Sequence, residues 1–379
     1  MRRRRLLAAA ASAAATATTA GCLGGSGDAT ASPTAFSNPP EGVYVPTRVS
    51  EAAVIGTADA GPFRVGLLYS RPTRFWELVG ETGYERGVAS DDDVHLMALA
   101  WDPETGVVFP EAGLTVRIAR SGTLVTQESV YAMLSQRLGF HYGDNVPLPG
   151  ADTYEVTVTV GGLQLRRTGA FAGRFDSAAS HTFEWLYDPA DRQALATERP
   201  AAAGETGTVA PVERRGIPTT AGQAVPSLGR EFGRQTVDDA VIVPQLVTGN
   251  AAERLLAGLD SPESGSAGSD TQPRQYLAVS VLTRHLRFRL PSMGLRVVFD
   301  SETDGVASVQ TTLSRTVDPE LGYHYGAAVP PALTETSDEG ASGVTVAVET
   351  LTPPQVARHE GYETAFRAFD TVRFSIDVD

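Results

Sequence analysis

Residues 139–150 read GFHYGDNVPLPG, and the phrase returns as GYHYGAAVPP at 322–331, in a chain that has only six histidines. Either a duplicated domain needs the phrase for a turn, or its histidines do chemistry. Around the first copy lie short runs with strand character: Phe63–Leu68, Val94–Trp101, Leu114–Ile118 and TYEVTVTV at 153–160, which puts Tyr154, Val156, Val158 and Val160 on one face. TFEWLYD repeats that alternation with Phe183, Trp185 and Tyr187. The turn signals PETG, GDN and PGAD fall between the runs, as an all-β sandwich requires. Around the second copy the same order recurs in Ala240–Val243, YLAVSVLT at 276–283, GLRVVF at 294–299, GVTVAVE at 343–349 and TVRFSIDV at 371–378. The pattern predicts an all-β chain of two tandem, related β-sandwiches, over 52–190 and 235–379.

What lies outside the sandwiches has no period of 2 or 3.6. Residues 191–234 hold Pro200, Pro211, Pro218 and Pro226 among small and polar residues and read as an inter-domain linker. Residues 23–51 read as a flexible, disordered N-terminal tether. The start, MRRRRLLAAAASAAATATTAGCLGG, has the basic run, apolar stretch and small-residue site of an export signal of the twin-arginine type over residues 1–22. Thr19-Ala20-Gly21-Cys22 resembles a lipoprotein processing site, which would make Cys22 the lipidated first residue of a chain held outside the cell membrane by its lipid. Cys22 is the one cysteine, so disulfides are excluded.

The net charge is −14, and all 31 basic residues are arginine. That balance argues against nucleic acid as a partner and suggests a salt-adapted, halophile source. There is no cysteine pair for zinc, no phosphate loop, no nucleophile elbow and no His-Glu-x-x-His, so the chain reads as a binding protein and not an enzyme.

The remaining chemistry is a set of soft and borderline ligand residues. His95 and Met97 stand two apart and so share a face of one strand; Met133 and His141 flank the approach to the repeated phrase. Two imidazoles and two thioethers suit copper, and oxygen ligands in addition would suit iron. Against this, a strand Met is more often core filler, and the phrase itself can persist because its histidine caps backbone groups and its glycine takes a positive φ. Asp91, Asp92 and Asp93 read as a solvated acidic loop and Trp76, Trp101 and Trp185 as core or edge aromatics.

VGLLYSRP at 65–72, DVHLMALA at 93–100 and above all FHYGDNVPLPGADTYEVTVTV at 140–160 resemble the periplasmic iron-transport lipoproteins that accompany high-affinity iron permeases. The resemblance covers Pro62 to Asp188. It implies an immunoglobulin-like fold, a bound iron or copper ion, a membrane iron permease as partner, and a homodimer or an intramolecular pseudo-dimer. His95 and His141 match its imidazole ligands. Met97 stands where the family often has Glu, Met133 lies one residue from the ligand methionine position at Leu134, and the third histidine's place, 170–180, holds none, His181 being the nearest. In the second half His324 matches the phrase histidine and His359 the third ligand, while Leu277 replaces the strand histidine and His285 falls in a loop. The resemblance thus leaves two readings, a site assembled across the halves or loss of metal from the second copy, with loss preferred. The expected function is extracytoplasmic iron binding, copper second, for delivery to a permease, with metal lost as pH falls through the ordinary histidine range. The rival is a surface module that kept the sandwich and lost the site.

Overall fold

The computed structural model describes residues 36, 38–218, 220–222, 224–257, 259, 275–301, 307–329 and 343–377. The expected signal segment, Cys22 and the tether up to residue 35 lie outside the described residues. Among the described residues no helix is long and apolar enough to cross a membrane.

The first half contains β1 (Val49–Ser50), β2 (Ala52–Ala60), β3 (Phe63–Ser70), β4 (Phe75–Val79), β5 (Thr82–Arg86), β6 (Val94–Trp101), β7 (Leu114–Arg120), β8 (Thr123–Ser129), β9 (Tyr131–Ser135), β10 (Gly139–Val146), β11 (Asp152–Val160), β12 (Arg166–Arg167) and β13 (Ala179–Tyr187), then the short helix α1 (Pro189–Ala194) and β14 (Thr197–Glu198). The second half contains β15 (Arg230–Glu231), β16 (Gln235–Val237), β17 (Ala240–Val247), helix α2 (Gly249–Leu256), β18 (Gln275–Thr283), β19 (Gly294–Ser301), β20 (Val309–Thr312), β21 (Ser314–Asp318), β22 (Gly322–Val329), β23 (Gly343–Thr352), β24 (Ala357–His359) and β25 (Val372–Asp377). The chain is all-β in class, and each half pairs a large sheet with a four-stranded one.

The alternation seen in the sequence decides which faces meet. Tyr154, Val156, Val158 and Val160 of β11 are fully buried, whereas Glu155 between them is exposed. They pack on the inner face of β3 and β6, where Val65, Leu67, Leu96 and Ala98 join the same core. The four-stranded sheet runs β13-β11-β7-β8, and its second-half counterpart runs β25-β23-β19-β20, so the duplication extends to strand order. Strand β6 departs from a simple sandwich strand because all eight of its residues are buried. Its outer face, His95, Met97, Leu99 and Trp101, is covered as well.

The repeated phrase is a strand and not a turn. Gly139–Val146 is β10 and Gly322–Val329 is β22. The left-handed backbone falls on the leading glycines, Gly139 at φ 72° and Gly322 at φ 66°, which close the hairpins from β9 and β21. Gly143 and Gly326, the glycines of His-Tyr-Gly, are not among the positive-φ residues, so they are needed for room.

The two halves exchange one short strand each. In the first half the large sheet runs β2-β3-β6-β10-β9-β24-β4-β5, with second-half strand β24 inserted parallel to β9 and antiparallel to β4. In the second half it runs β12-β21-β22-β18-β17-β15, with first-half strand β12 laid parallel to β21. The exchange follows the same step in both copies, after β11 and after β23, and produces a pseudo-dimer within one chain. Tyr323 Oη adds a cross-half hydrogen bond to Glu111, whose carboxylate also pairs with Arg315 at 2.6 Å.

Two expectations of looseness are corrected. In the tether, Val43, Tyr44, Val45, Thr47 and Val49 are buried, and β1 pairs with β14. In the linker, Gly204 N–H donates to Val45 O, Val209 N–H to Gln136 Oε1, and Ile217 is buried. The described parts of both segments have no hydrophobic period because they are ordered by backbone groups bonding to the sandwiches. Gln136 is the junction: its Nε2 donates to Tyr44 O at 2.7 Å and Gly361 O at 3.2 Å while its Oε1 accepts from Val209 N–H at 2.9 Å. Gln136→Ala leaves Tyr44 O and Val209 N–H without this partner and is expected to cost about 2–3 kcal/mol, read as a lower denaturant midpoint with an unchanged slope.

Candidate metal centre

Strand parity places His95 and His141 on the outer face of the first large sheet, since Leu96, Phe140 and Tyr142 point into the core. β24 lies beside β9 with Ala357 opposite Met133 and Arg358 opposite Leu134, which brings the next residue, His359, to the same face. The ligating nitrogens of His95, His141 and His359 all lie within 4.8 Å of one another. The ring centroids are 6.5 Å apart for His95 and His141, 5.0 Å for His95 and His359, and 5.2 Å for His141 and His359. Among the described residues this is the only group of three or more histidine, cysteine or acidic residues close enough to hold a metal.

The hydrogen bonds fix which nitrogen faces the centre. Asn145 Oδ1 accepts from Thr73 N–H at 3.2 Å, and Asn145 Nδ2 donates to Thr73 O at 2.9 Å, so the amide orientation is determined. His95 Nδ1, 3.0 Å from that Oδ1, must therefore carry the proton. His141 Nδ1 likewise donates to Gly139 O at 3.0 Å. The Nε2 lone pairs of both rings are left to face the cluster. Nε2 of His95, His141 and His359 are all buried and have no hydrogen-bond partner. An unsatisfied buried polar group costs about 1–3 kcal/mol, so three of them together are a cost that a bound cation would relieve.

Met133, expected from the sequence as a soft donor, lies beside the histidines. It is directly opposite His141 across β9 and β10 and fully buried, whereas Leu134 points into the main core. A Cβ added at Gly143 would lie 3.0 Å from His95 Nε2 and 3.3 Å from Met133 Sδ, so this glycine keeps clear the space that the ring and the thioether share. Phe75, Met133 and Ala357, with Tyr131 packed against them, form the apolar wall.

Other sequence candidates fall elsewhere. Met97 shares the face of His95 as parity requires, but its thioether packs among Leu68, Leu99, Trp101 and Ile217. Asp93 accepts from Arg192 at 2.9 Å and from Leu148 N–H at 2.8 Å, and Asp92 accepts from Ala89 N–H, so neither joins the cluster. His181 lies on β13 against Phe183, and His285 is exposed in a turn. His324 does not join the cluster either. The register also moves the strand counterpart of His95. Gly326 pairs with Ala278 as Gly143 pairs with Met97, which puts Tyr276, and not Leu277, in the place of His95.

His359 is held by its own loop and by the segment before β1. The buried Arg358 guanidinium donates to the carbonyl oxygens of Ala365, Pro354 and Phe366. Tyr44 N–H reaches Gly361 O, Tyr44 Oη bonds Glu363, and Glu360 Oε1 accepts from Thr47 N–H at 3.0 Å.

Burial and then the neighbouring His141 push the His95 ring down to about 3, against the hydrogen bond it donates to Asn145. Burial pushes His141 down to about 4, against its bond to Gly139 O. Burial, His95 and His141 hold His359 well below its ordinary value. The expectation of metal loss through the ordinary histidine range is therefore displaced to lower pH. A metal-loaded sample should keep its metal from pH 7 to about pH 5 and release it below about pH 4, followed by dialysis and elemental analysis. In the metal-free chain the unfolded state takes up these protons near 6.5, whereas the folded state takes up those of His95 and His141 only near 3 to 4 and holds His359 well below its ordinary value. That chain's stability should fall as pH drops from about 6.5 towards 4, measured as a decreasing denaturant midpoint.

Residues 57–187 match the family model described as Fe2+ transport protein, and residues 225–375 match one described as a domain of unknown function, DUF7350. No curated protein matches the chain. Among solved structures, the as-isolated FetP of uropathogenic Escherichia coli strain F11 is 19% identical, covering 36% of this chain and 97% of its own, with a TM-score of 0.30. A copper-bound variant of FetP from the same strain is 18% identical with the same coverage and TM-score. At that similarity neither carries fold or function across.

Proposed function

We propose, from the match of residues 57–187 to the Fe2+ transport protein family model and from the geometry of the cluster, that the chain is an extracytoplasmic metal-binding protein of an iron-uptake system, without catalytic activity of its own. The observation that carries this is the convergence of three partnerless, buried Nε2 atoms beside a thioether. A cluster of that kind has no purpose in a surface module that has lost its site. The basic, apolar and small-residue start of the chain supports export, and Cys22 supports a lipid tether to the membrane. A membrane iron permease is the partner that the family match suggests.

The donor set favours copper over iron in this pocket. Imidazole and thioether are borderline and soft donors, and no carboxylate joins the cluster. Burying a divalent ion among neutral ligands leaves two charges without an anion, whereas a monovalent copper ion leaves one. The protein's part is to hold the Nε2 lone pairs of His95 and His141 and the ring of His359 towards one point, to keep water out with Phe75 and Tyr131, and to present Met133 as the soft ligand. The carboxylate-free pocket thus reverses the order expected from sequence, copper coming first for this site while iron uptake remains the process served.

Copper(I) should bind with one ion per chain and raise the thermal midpoint. His95→Ala, His141→Ala and His359→Ala should each weaken it by more than ~100-fold, since losing a ligand costs more than the 10–100-fold typical of its outer partners. Met133→Leu should weaken copper(I) much more than zinc. Equal copper affinity in the parent and the His359→Ala chain would sink the proposal.

A further inference from the structure

The exchange of short strands allows every position of the metal centre to be matched in the second half. Thr316 stands opposite His324 as Met133 stands opposite His141. Arg166 pairs with Thr316 and Arg167 with Val317, as Ala357 pairs with Met133 and Arg358 with Leu134. Arg166 therefore takes the place of Ala357, and the next residue, Thr168, takes the place of His359. With Tyr276 in the place of His95, the second set reads Tyr276, His324, Thr316 and Thr168, and it is also buried.

These residues are satisfied where their counterparts are not. Tyr276 Oη donates to His324 Nε2 at 3.0 Å, while His324 Nδ1 donates to Gly322 O at 3.0 Å, so neither ring nitrogen is left for a ligand. Thr168 Oγ1 donates to Asp318 Oδ2 at 2.7 Å, and that buried carboxylate also takes Arg254 at 2.5 Å. The Tyr276 ring occupies the space in front of Gly326: a Cβ there would collide with its hydroxyl.

A cation is already present. The Arg166 guanidinium lies beside the Tyr276 hydroxyl and donates to Leu255 O and, at 2.8 Å, to Ala257 O. Those carbonyls belong to the C-terminal end of α2, whose unpaired oxygens and dipole favour a positive charge. In the first half the chain between β3 and β6 forms the hairpin β4–β5 and leaves the imidazoles facing one another; in the second half the segment between β17 and β18 contributes α2, which supplies carbonyls for a guanidinium.

We infer that the second half carries a closed counterpart of the metal centre, in which the Arg166 guanidinium is the resident cation and no metal is taken up. The inference rests on the metal reading of the first-half cluster, and it makes the chain a single-site pseudo-dimer whose second half holds β24, and hence His359, in place. The expected metal count is one per chain despite the duplicated phrase.

The test uses the whole chain, with copper(I) as the probe under anaerobic dialysis. His324→Ala should leave the count at one per chain; two per chain in the parent, falling to one in His324→Ala, would overturn the inference. This arm requires no redesigned chain to fold. In the second arm the first site is removed by His95→Ala and His141→Ala, then the second is opened by Arg166→Ala, Thr168→His and Tyr276→His. The opened chain should bind one copper and lose it on adding His324→Ala. A cooperatively folded opened chain that binds none would overturn the inference. Copper in the opened chain but none in the parent would support it while removing the metal reading of the first half.

Discussion

The site depends on where three residues of chain insert. Ala357–His359 leave the second half, pair in parallel with β9 and antiparallel with β4, and complete the first-half sheet. Without that insertion β9 would be a bare edge and His95 and His141 would form an incomplete pair facing the hairpin β4–β5. With it, a third imidazole lies within 4.8 Å of the other two and the pocket is closed from water. On the proposed reading, assembly across the halves and loss of the second site, which the sequence presents as alternatives, are the two ends of one exchanged structure.

Duplication explains the economy of this arrangement. Two copies of one sandwich, each donating a short strand to the other, give two equivalent places for a site, and a chain that uses one of them is free to alter the other. The first place keeps Nε2 atoms without partners, a small Ala357 and a bare Gly143. The second fills the same positions with Tyr276, Arg166 and Thr168, and pairs the Tyr276 hydroxyl, both His324 nitrogens and the Thr168 hydroxyl. The contrast lies at the imidazoles: both nitrogens of the His324 ring are bonded, whereas Nε2 of His95, His141 and His359 has no partner.

Much of this was legible in the sequence. The alternation in TYEVTVTV and VHLMALAW gave strands, faces and duplication, because period-two patterns report burial directly. His95 and His141 were legible for the same reason. The repeated phrase was read as a turn because glycine and proline flank it, yet only Gly139 and Gly322 bend; Gly143 and Gly326 make room. Tyr276 was missed by one residue. The inward set Leu277, Val279 and Val281 answers Leu96, Ala98 and Ala100, and counting that parity would have found it. β24 left no such trace, since three residues carry no period and their partner strands lie in the other half. Met133 over Leu134 likewise needed the hairpin at Gly139 to fix which residue faces His141.

The central claim is that one metal is held by imidazoles from both halves and by Met133. X-ray absorption at the copper edge of the copper(I)-loaded chain tests it most directly. The account predicts a first shell of imidazole nitrogens with one sulfur, from which His359→Ala removes one imidazole and leaves the sulfur. A shell of oxygen donors, or one unchanged by His359→Ala, would contradict it.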